Sequence, residues 1–147
     1  MATPMIKILK KEFPPETKID VGCMFEGVKY VFQNNPHINE IRYLRLYGQN
    51  KLIATKRVLE LRKKKYDISI LPFPAYRKEY HIVNWLAGAK QRISHKFSHG
   101  YWSELNFLDT DLIPFDEGEH HVINNLNLLS ALGINWKSKY DPAYLNY

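Results

Sequence analysis

Short apolar runs of strand type alternate with helix signals along most of the chain, and this alternation constrains the fold more than any other feature. Lys18–Met24, Ile38–Leu46, Tyr66–Leu71 and Lys90–Ser94 read as strands. Before the first of them, Met5, Ile8 and Leu9 fall on one helical face, with Thr3 placed as N-cap, Pro4 at the first helical position and Pro14-Pro15 as the stop. Gly27 to Phe32 is a second, brief helix. Asn50 is placed to cap a long helix patterned on Leu52, Ile53, Lys56, Leu59 and Leu61, and Arg62-Lys63-Lys64-Lys65 in its last turn complement the negative end of the helix dipole. Tyr80–Leu86 forms a further helix closed by Gly88, and His120–Leu132 a final amphipathic one stopped by Gly133. Residues 95–118 read as mostly loop, rich in His, Tyr and acids. Strands and helices in this order predict βαβ units and an open, mainly parallel α/β sheet with helices on both faces. A doubly wound domain ordinarily opens on a strand that sits mid-sheet; this sequence opens on the helix.

The 147 residues are one domain's worth, and a 45% hydrophobic, 24% charged composition excludes a disordered tail and a collagen-like repeat. Cys23 is the only cysteine, so no intrachain disulfide forms and a reducing, cytoplasmic location is expected. No apolar run approaches the roughly 20 residues of a membrane-spanning helix. The charge is lopsided. Residues 1–100 hold 19 Lys and Arg against 8 acids, a balance of +11, whereas residues 101–147 hold 2 against 7, a balance of −5. Such a field suits an anionic partner: a phosphorylated or carboxylated substrate, a membrane surface or nucleic acid. Nucleic acid is the weakest of these, because the sequence lacks the signatures of the common nucleic-acid-binding modules.

No Gly-rich phosphate fingerprint is present. His95 and His99 are four apart, but without a third ligand they make no metal site. Cys23 lies within a strand, where a small buried hydrophobe is its usual role. Ligands of open α/β sheets sit at the carboxyl ends of the strands. Three such exits carry cations and hydrogen-bonding groups: Arg45-Leu46-Tyr47 with Lys51, the run from Pro72 through Tyr76, Arg77 and Lys78, and His95-Lys96. Arg77 and Lys78 stand at a helix start, where exposed N–H groups favour an anion but the dipole disfavours cations, which argues for a functional reason.

The order of several segments resembles glycosyltransferase family 9, the ADP-heptose:lipopolysaccharide heptosyltransferases. The matching stretches are Ala2-Thr3-Pro4 into Leu9–Pro14, Lys18–Val21, Asn35–Ile41, Leu61–Ile68, Leu86–Ile93, and His120 with Val122, Asn125 and Leu128–Ile134. The resemblance implies the N-terminal, acceptor-side half of a GT-B enzyme, a Rossmann-like domain over residues 1–134 followed by a connector, 135–147, toward a donor-binding domain. It implies acceptor contacts from Arg45, Tyr47, Lys51, Tyr76, Arg77 and Lys78, and a place for His120 at the site or at a domain interface. The implied partners are a phosphorylated or acidic lipopolysaccharide-core glycan, a separate chain carrying the donor domain, and the cytoplasmic face of the inner membrane. The family's first strand and its Gly-x-Gly-Asp loop, with the candidate catalytic base, would lie ahead of Ala2. No catalytic residue or cofactor is therefore assigned to residues 1–147, a nucleotide-sugar donor is expected only with the second domain, and the chain alone is expected to be inactive. The competing expectation is a non-catalytic module for anionic glycans, lipid head groups or nucleic acid.

Overall fold

The computed structural model describes residues 2–45, 48, 50–97 and 105–140. Among these residues five short strands and five α-helices follow one another, alternating up to β4: α1 (Thr3–Glu12), β1 (Asp20–Cys23), α2 (Glu26–Phe32), β2 (Glu40–Tyr43), α3 (Lys51–Arg62), β3 (Ile68–Ile70), α4 (Lys78–Ala87), β4 (Gln91–Lys96), β5 (Asp111–Pro114) and α5 (His121–Asn127). All the pairings are parallel. β1 pairs with β2, Val21 opposite Ile41, and β4 lies between β3 and β5, Ile93 opposite both Ile70 and Asp111. The α/β class and the parallel strands expected from the alternation are present.

Two cores flank the strands. Met5 and Ile8 of α1 pack with Ile93, Val122, Leu126, Leu128, Leu129 and Trp136 on one side, and Leu44, Val58, Leu61 and Ala87 form the other beneath α3 and α4. β4 is the most buried strand, with Ile93, Ser94 and His95 at 0–2% exposure.

Several local expectations change. Thr3 is the first residue of α1 rather than its cap; Ala2 stands at that position without a side-chain bond. Asn50 does cap α3, its Oδ1 accepting from the Leu52 N–H at 2.8 Å. Of the residues patterned for α3 only Leu61 is buried, with Val58 beside it, while Leu52 and Ile53 are 79% and 50% exposed, so the stripe was right only at its C-terminal end. Within the mostly loop segment 95–118, β4 runs on past Ser94 through His95 and Lys96, a 3-10 turn covers Asn106–Leu108, and a strand not expected from the sequence, β5, follows. The C-terminal helix is α only to Asn127 and continues as a 3-10 helix over Leu128–Leu132 to Gly133 at φ +70°. Beyond it, Trp136 sits in the core. Cys23 is buried, and burial pushes its thiol pKa up, as suits an inert core residue. Among the described residues no helix is long and apolar enough to cross a membrane.

Candidate functional site

The carboxyl ends of β3, β4 and β5 deliver an aromatic side chain each. Phe97 and Phe115 directly follow β4 and β5, and Phe73 lies three residues beyond β3. Because the three strands are adjacent and parallel, these rings meet. Phe115 lies 5.0 Å from Phe73 and 4.9 Å from Phe97, centroid to centroid. His121, at the start of α5, stacks on Phe73 at 4.1 Å, and Tyr76 approaches Phe97 edge-on at 6.4 Å. The three phenylalanines are half-buried and Tyr76 and His121 exposed, so the group forms an aromatic shelf open to solvent.

The support under the shelf is polar. His95 is buried, with its ring edge-on to Phe115 at 5.3 Å and to Phe97 at 6.0 Å. Burial pulls its pKa down to about 4, against smaller opposing effects of the Asn125 side chain and the Ile113 backbone. Neither ring nitrogen completes a hydrogen bond of ordinary geometry, so His95 is a neutral ring at pH 7 and not a cation for a ligand. Asn125 accepts from the Phe73 N–H at 2.7 Å through Oδ1, which ties α5 to the loop with the cis Phe73–Pro74 peptide, while its Nδ2 is buried and unpartnered. Asn124 holds the 115–119 turn, its Oδ1 accepting from the Asp116 N–H and its Nδ2 donating to the Asp116 and Glu119 carbonyls.

A second buried cluster fixes α4, and with it the 72–78 loop, to the sheet. The Asp109 side chain is fully buried. Its Oδ2 accepts from Ser94 Oγ at 2.7 Å and pairs with His81 Nδ1 at 2.5 Å, while its Oδ1 accepts from Asn84 Nδ2 at 2.7 Å. Histidine and serine both bond the carboxyl group rather than each other, so the cluster is a structural node and not a nucleophilic triad.

The residues expected to contact an anionic ligand are distributed along this edge. Tyr76 joins the shelf. Arg77 is the N-cap residue of α4 and Lys78 its first residue. The Arg77 guanidinium lies 3.5 Å from Glu79 in the same first turn, so an acid already offsets the cations' conflict with the dipole. Both Arg77 and Lys78 are exposed beside Tyr76. Arg45 is at the exit of β2, on the other ladder, with a φ of +41°. Tyr47 and the Lys51 side chain lie outside the described residues, as does His99. His95 is not at a strand exit but inside β4, shielded by the shelf. His120 caps α5, its Nδ1 accepting from the Val122 N–H at 3.2 Å. Acids Asp116, Glu117 and Glu119 follow β5, so the edge is basic at the β3 end and acidic at the β5 end. Among the described residues no cluster of three His, Cys, Asp or Glu side chains could hold a metal.

The shelf itself escaped the sequence reading. Its signal, one aromatic residue soon after each of three adjacent strands, becomes readable only when β5 is recognised inside an otherwise polar stretch.

No protein-family model and no curated protein matches the chain. A solved structure does: the glycosyl transferase family 9 protein from Veillonella parvula DSM 2008 superposes with a TM-score of 0.65 at 22% identity, over 91% of this chain and 37% of that one. This likeness shows a shared Rossmann-like α/β fold. The chain spans little more than a third of that protein's length.

Proposed function

We propose that the carboxyl-edge shelf is the acceptor-binding face of a heptosyltransferase-like glycosyltransferase. The observation that carries this reading is the union of flat rings and cations at one edge: Phe73, Tyr76, Phe97, Phe115 and His121 beside Arg77 and Lys78. Aromatic faces suit the C–H faces of sugar rings, and two cations at the start of a ten-residue helix suit a phosphate or carboxylate on the same glycan. The ordered resemblance of the sequence segments and the shared fold point to the same class. The acceptor proposed is a phosphorylated lipopolysaccharide-core glycan presented at the cytoplasmic face of a membrane. Handling of a nucleotide-sugar donor such as ADP-heptose, and the transfer step itself, belong in this reading to a second domain or chain. The residues described here bind and orient the acceptor, and none is assigned a proton transfer or bond-making role.

The test is a titration with a phosphorylated core oligosaccharide and with the same glycan after phosphatase treatment. Each charge-assisted hydrogen bond contributes about 1.5–3 kcal/mol. Removal of phosphate is therefore expected to weaken binding at least about tenfold. The Arg77→Ala/Lys78→Ala double variant is expected to bind both glycans alike. Equal affinity of the wild-type chain for the two glycans would overturn the assignment.

A further inference from the structure

Among the described residues β2 has a strand neighbour on one side only, β1. β1 in turn lies toward the other ladder, because Tyr66, two residues ahead of β3, donates from Oη to Asp20 Oδ2 at 2.8 Å. β2 is therefore an outer edge of the strand layer, as β5 is at the other end. The two edges differ in charge. β5 begins with Asp111 and is followed by Asp116, Glu117 and Glu119, so a second copy docking there would meet like charge. β2 carries one charge of each sign, Glu40 and Arg42.

The backbone of β2 is turned to accept a partner. In a parallel ladder successive residues present their N–H and C=O groups to opposite sides. The Leu44 N–H donates to the Cys23 carbonyl, so Arg42 and Leu44 turn toward β1 and Ile41 presents both its groups to the open edge. Side chains alternate in step. Glu40 pairs with Arg42 and Lys64, at 2.8 Å each, and Leu44 enters the core beneath α3, whereas Ile41 lines a recess with Phe32 of α2. Apolar exposure gathers around the same edge. Of the twelve large apolar side chains exposed among the described residues, eight lie within 25–59, the segment that holds α2, β2 and most of α3. Val28, Tyr30 and Val31 of α2 and Leu52 and Ile53 of α3 are among them. Such a concentration on two helices flanking an open strand marks a protein–protein contact.

We propose that β2 pairs antiparallel with β2 of a second copy of this chain, about a two-fold axis at Ile41. In this register the Ile41 residues of the two copies exchange N–H···O bonds with each other. Glu40 of each copy then stands opposite Arg42 of the other, at non-hydrogen-bonded positions, where side chains come closest. The four charges alternate in sign around a square, with each carboxylate between two guanidinium groups. Slipping the pairing by one hydrogen-bond-compatible step either way sets Arg42 opposite Arg42 or Glu40 opposite Glu40, so charge selects the register. The axis is normal to the strands. It brings the two α2 helices to one face and the two α3 helices to the other, drawing their exposed apolar side chains together. The aromatic shelf, at the β3–β5 end, stays open.

Sedimentation velocity on the full 147-residue chain reads the association. The wild type is expected to rise from monomer to dimer mass with concentration, and a monomer throughout, up to about 0.1 mM, would overturn the pairing. Glu40→Arg and Arg42→Glu each set like charges opposite one another, and each alone is expected to bind its own copy at least about tenfold more weakly. Mixed one to one, the two variants restore opposite charge at every position and are expected to form a heterodimer, which also shows that both are folded. Association unchanged in either variant, or no recovery on mixing, would overturn the register. Oxidative cross-linking locates the axis, with Cys23 buried and out of competition. Ile41→Cys, about 5.5 Å from its counterpart between Cα atoms, is expected to form an intermolecular disulfide, whereas Tyr43→Cys, about 14 Å from its own, is not. Cross-linking at Tyr43 equal to or greater than at Ile41 would overturn the axis.

Discussion

Replacement of Asp109 by alanine tests how the shelf is held in place. The carboxyl group is fully buried and satisfies three donors from two elements: His81 and Asn84 of α4, and Ser94 of β4. Its removal leaves all three donors in a site closed to solvent. A buried donor left unsatisfied costs about 1–3 kcal/mol. Partial relaxation, with Ser94 and Asn84 turning to backbone carbonyls, places the expected loss at about 3–5 kcal/mol, the usual range for breaking a buried polar pair. That is a large share of the roughly 5–15 kcal/mol available to a domain of this size. Urea denaturation followed by far-ultraviolet circular dichroism reads the loss as a fall in midpoint at constant slope. Asp109→Asn, which retains the shape and one acceptor, is expected to lose less. Because the cluster anchors α4 behind the 72–78 loop, the alanine variant is also expected to broaden the NMR signals of Tyr76 and Arg77. A stability loss below about 1 kcal/mol would refute the reasoning, since it would mean that the three donors find other partners freely.

Trp136→Ala should cost about 3–5 kcal/mol, because the ring lies in the main core beside Leu126 and Leu129; a loss below about 1 kcal/mol in the same denaturation assay would show that residues 134–140 pack only loosely. His95 titrates at about 4 in the folded chain against an ordinary value of 6.5, so its contribution is fully present above pH 6.5 and is lost as the pH falls toward 4. The difference in stability between wild type and His95→Gln should therefore shrink between pH 7 and pH 4 by about 3 kcal/mol, and a pH-independent difference would contradict a buried neutral ring. Gly88→Ala should destabilise by about 1–2 kcal/mol, because φ is +76° and a Cβ there meets only the flexible Arg62 side chain at 3.0 Å; thermal melting checks this.

The parts of the fold legible in the sequence were those where one local rule dominates. Ile68–Ile70 has no polar competitor except Ser69, Asn50 precedes its helix with a free carbonyl oxygen, and Gly88 and Gly133 take left-handed conformations that few other residues accept. β5 was hidden because Asp111-Leu112-Ile113-Pro114 is short, lies at a sheet edge and is followed by acidic turn residues; only its pairing with β4 makes it a strand. The buried face of α3 was misjudged because Leu52 and Ile53 sit in its first turn, beyond the reach of the core that Val58 and Leu61 enter. The site was half legible. The cations and Tyr76 at the β3 exit follow from the rule for open sheets. The shelf does not, because Phe73, Phe97, Phe115 and His121 are far apart in sequence and meet only through the register of three parallel strands.

The central claim is that this edge binds a glycan. Chemical-shift mapping with the phosphorylated core oligosaccharide tests it most directly. The account predicts saturable shifts concentrated at Phe73, Tyr76, Arg77, Lys78, Phe97, Phe115 and His121, abolished by Tyr76→Ala/Arg77→Ala. Shifts confined to the recess lined by Phe32, Asn35 and Ile38, between α2 and β2, or no saturable shifts at all, would contradict it.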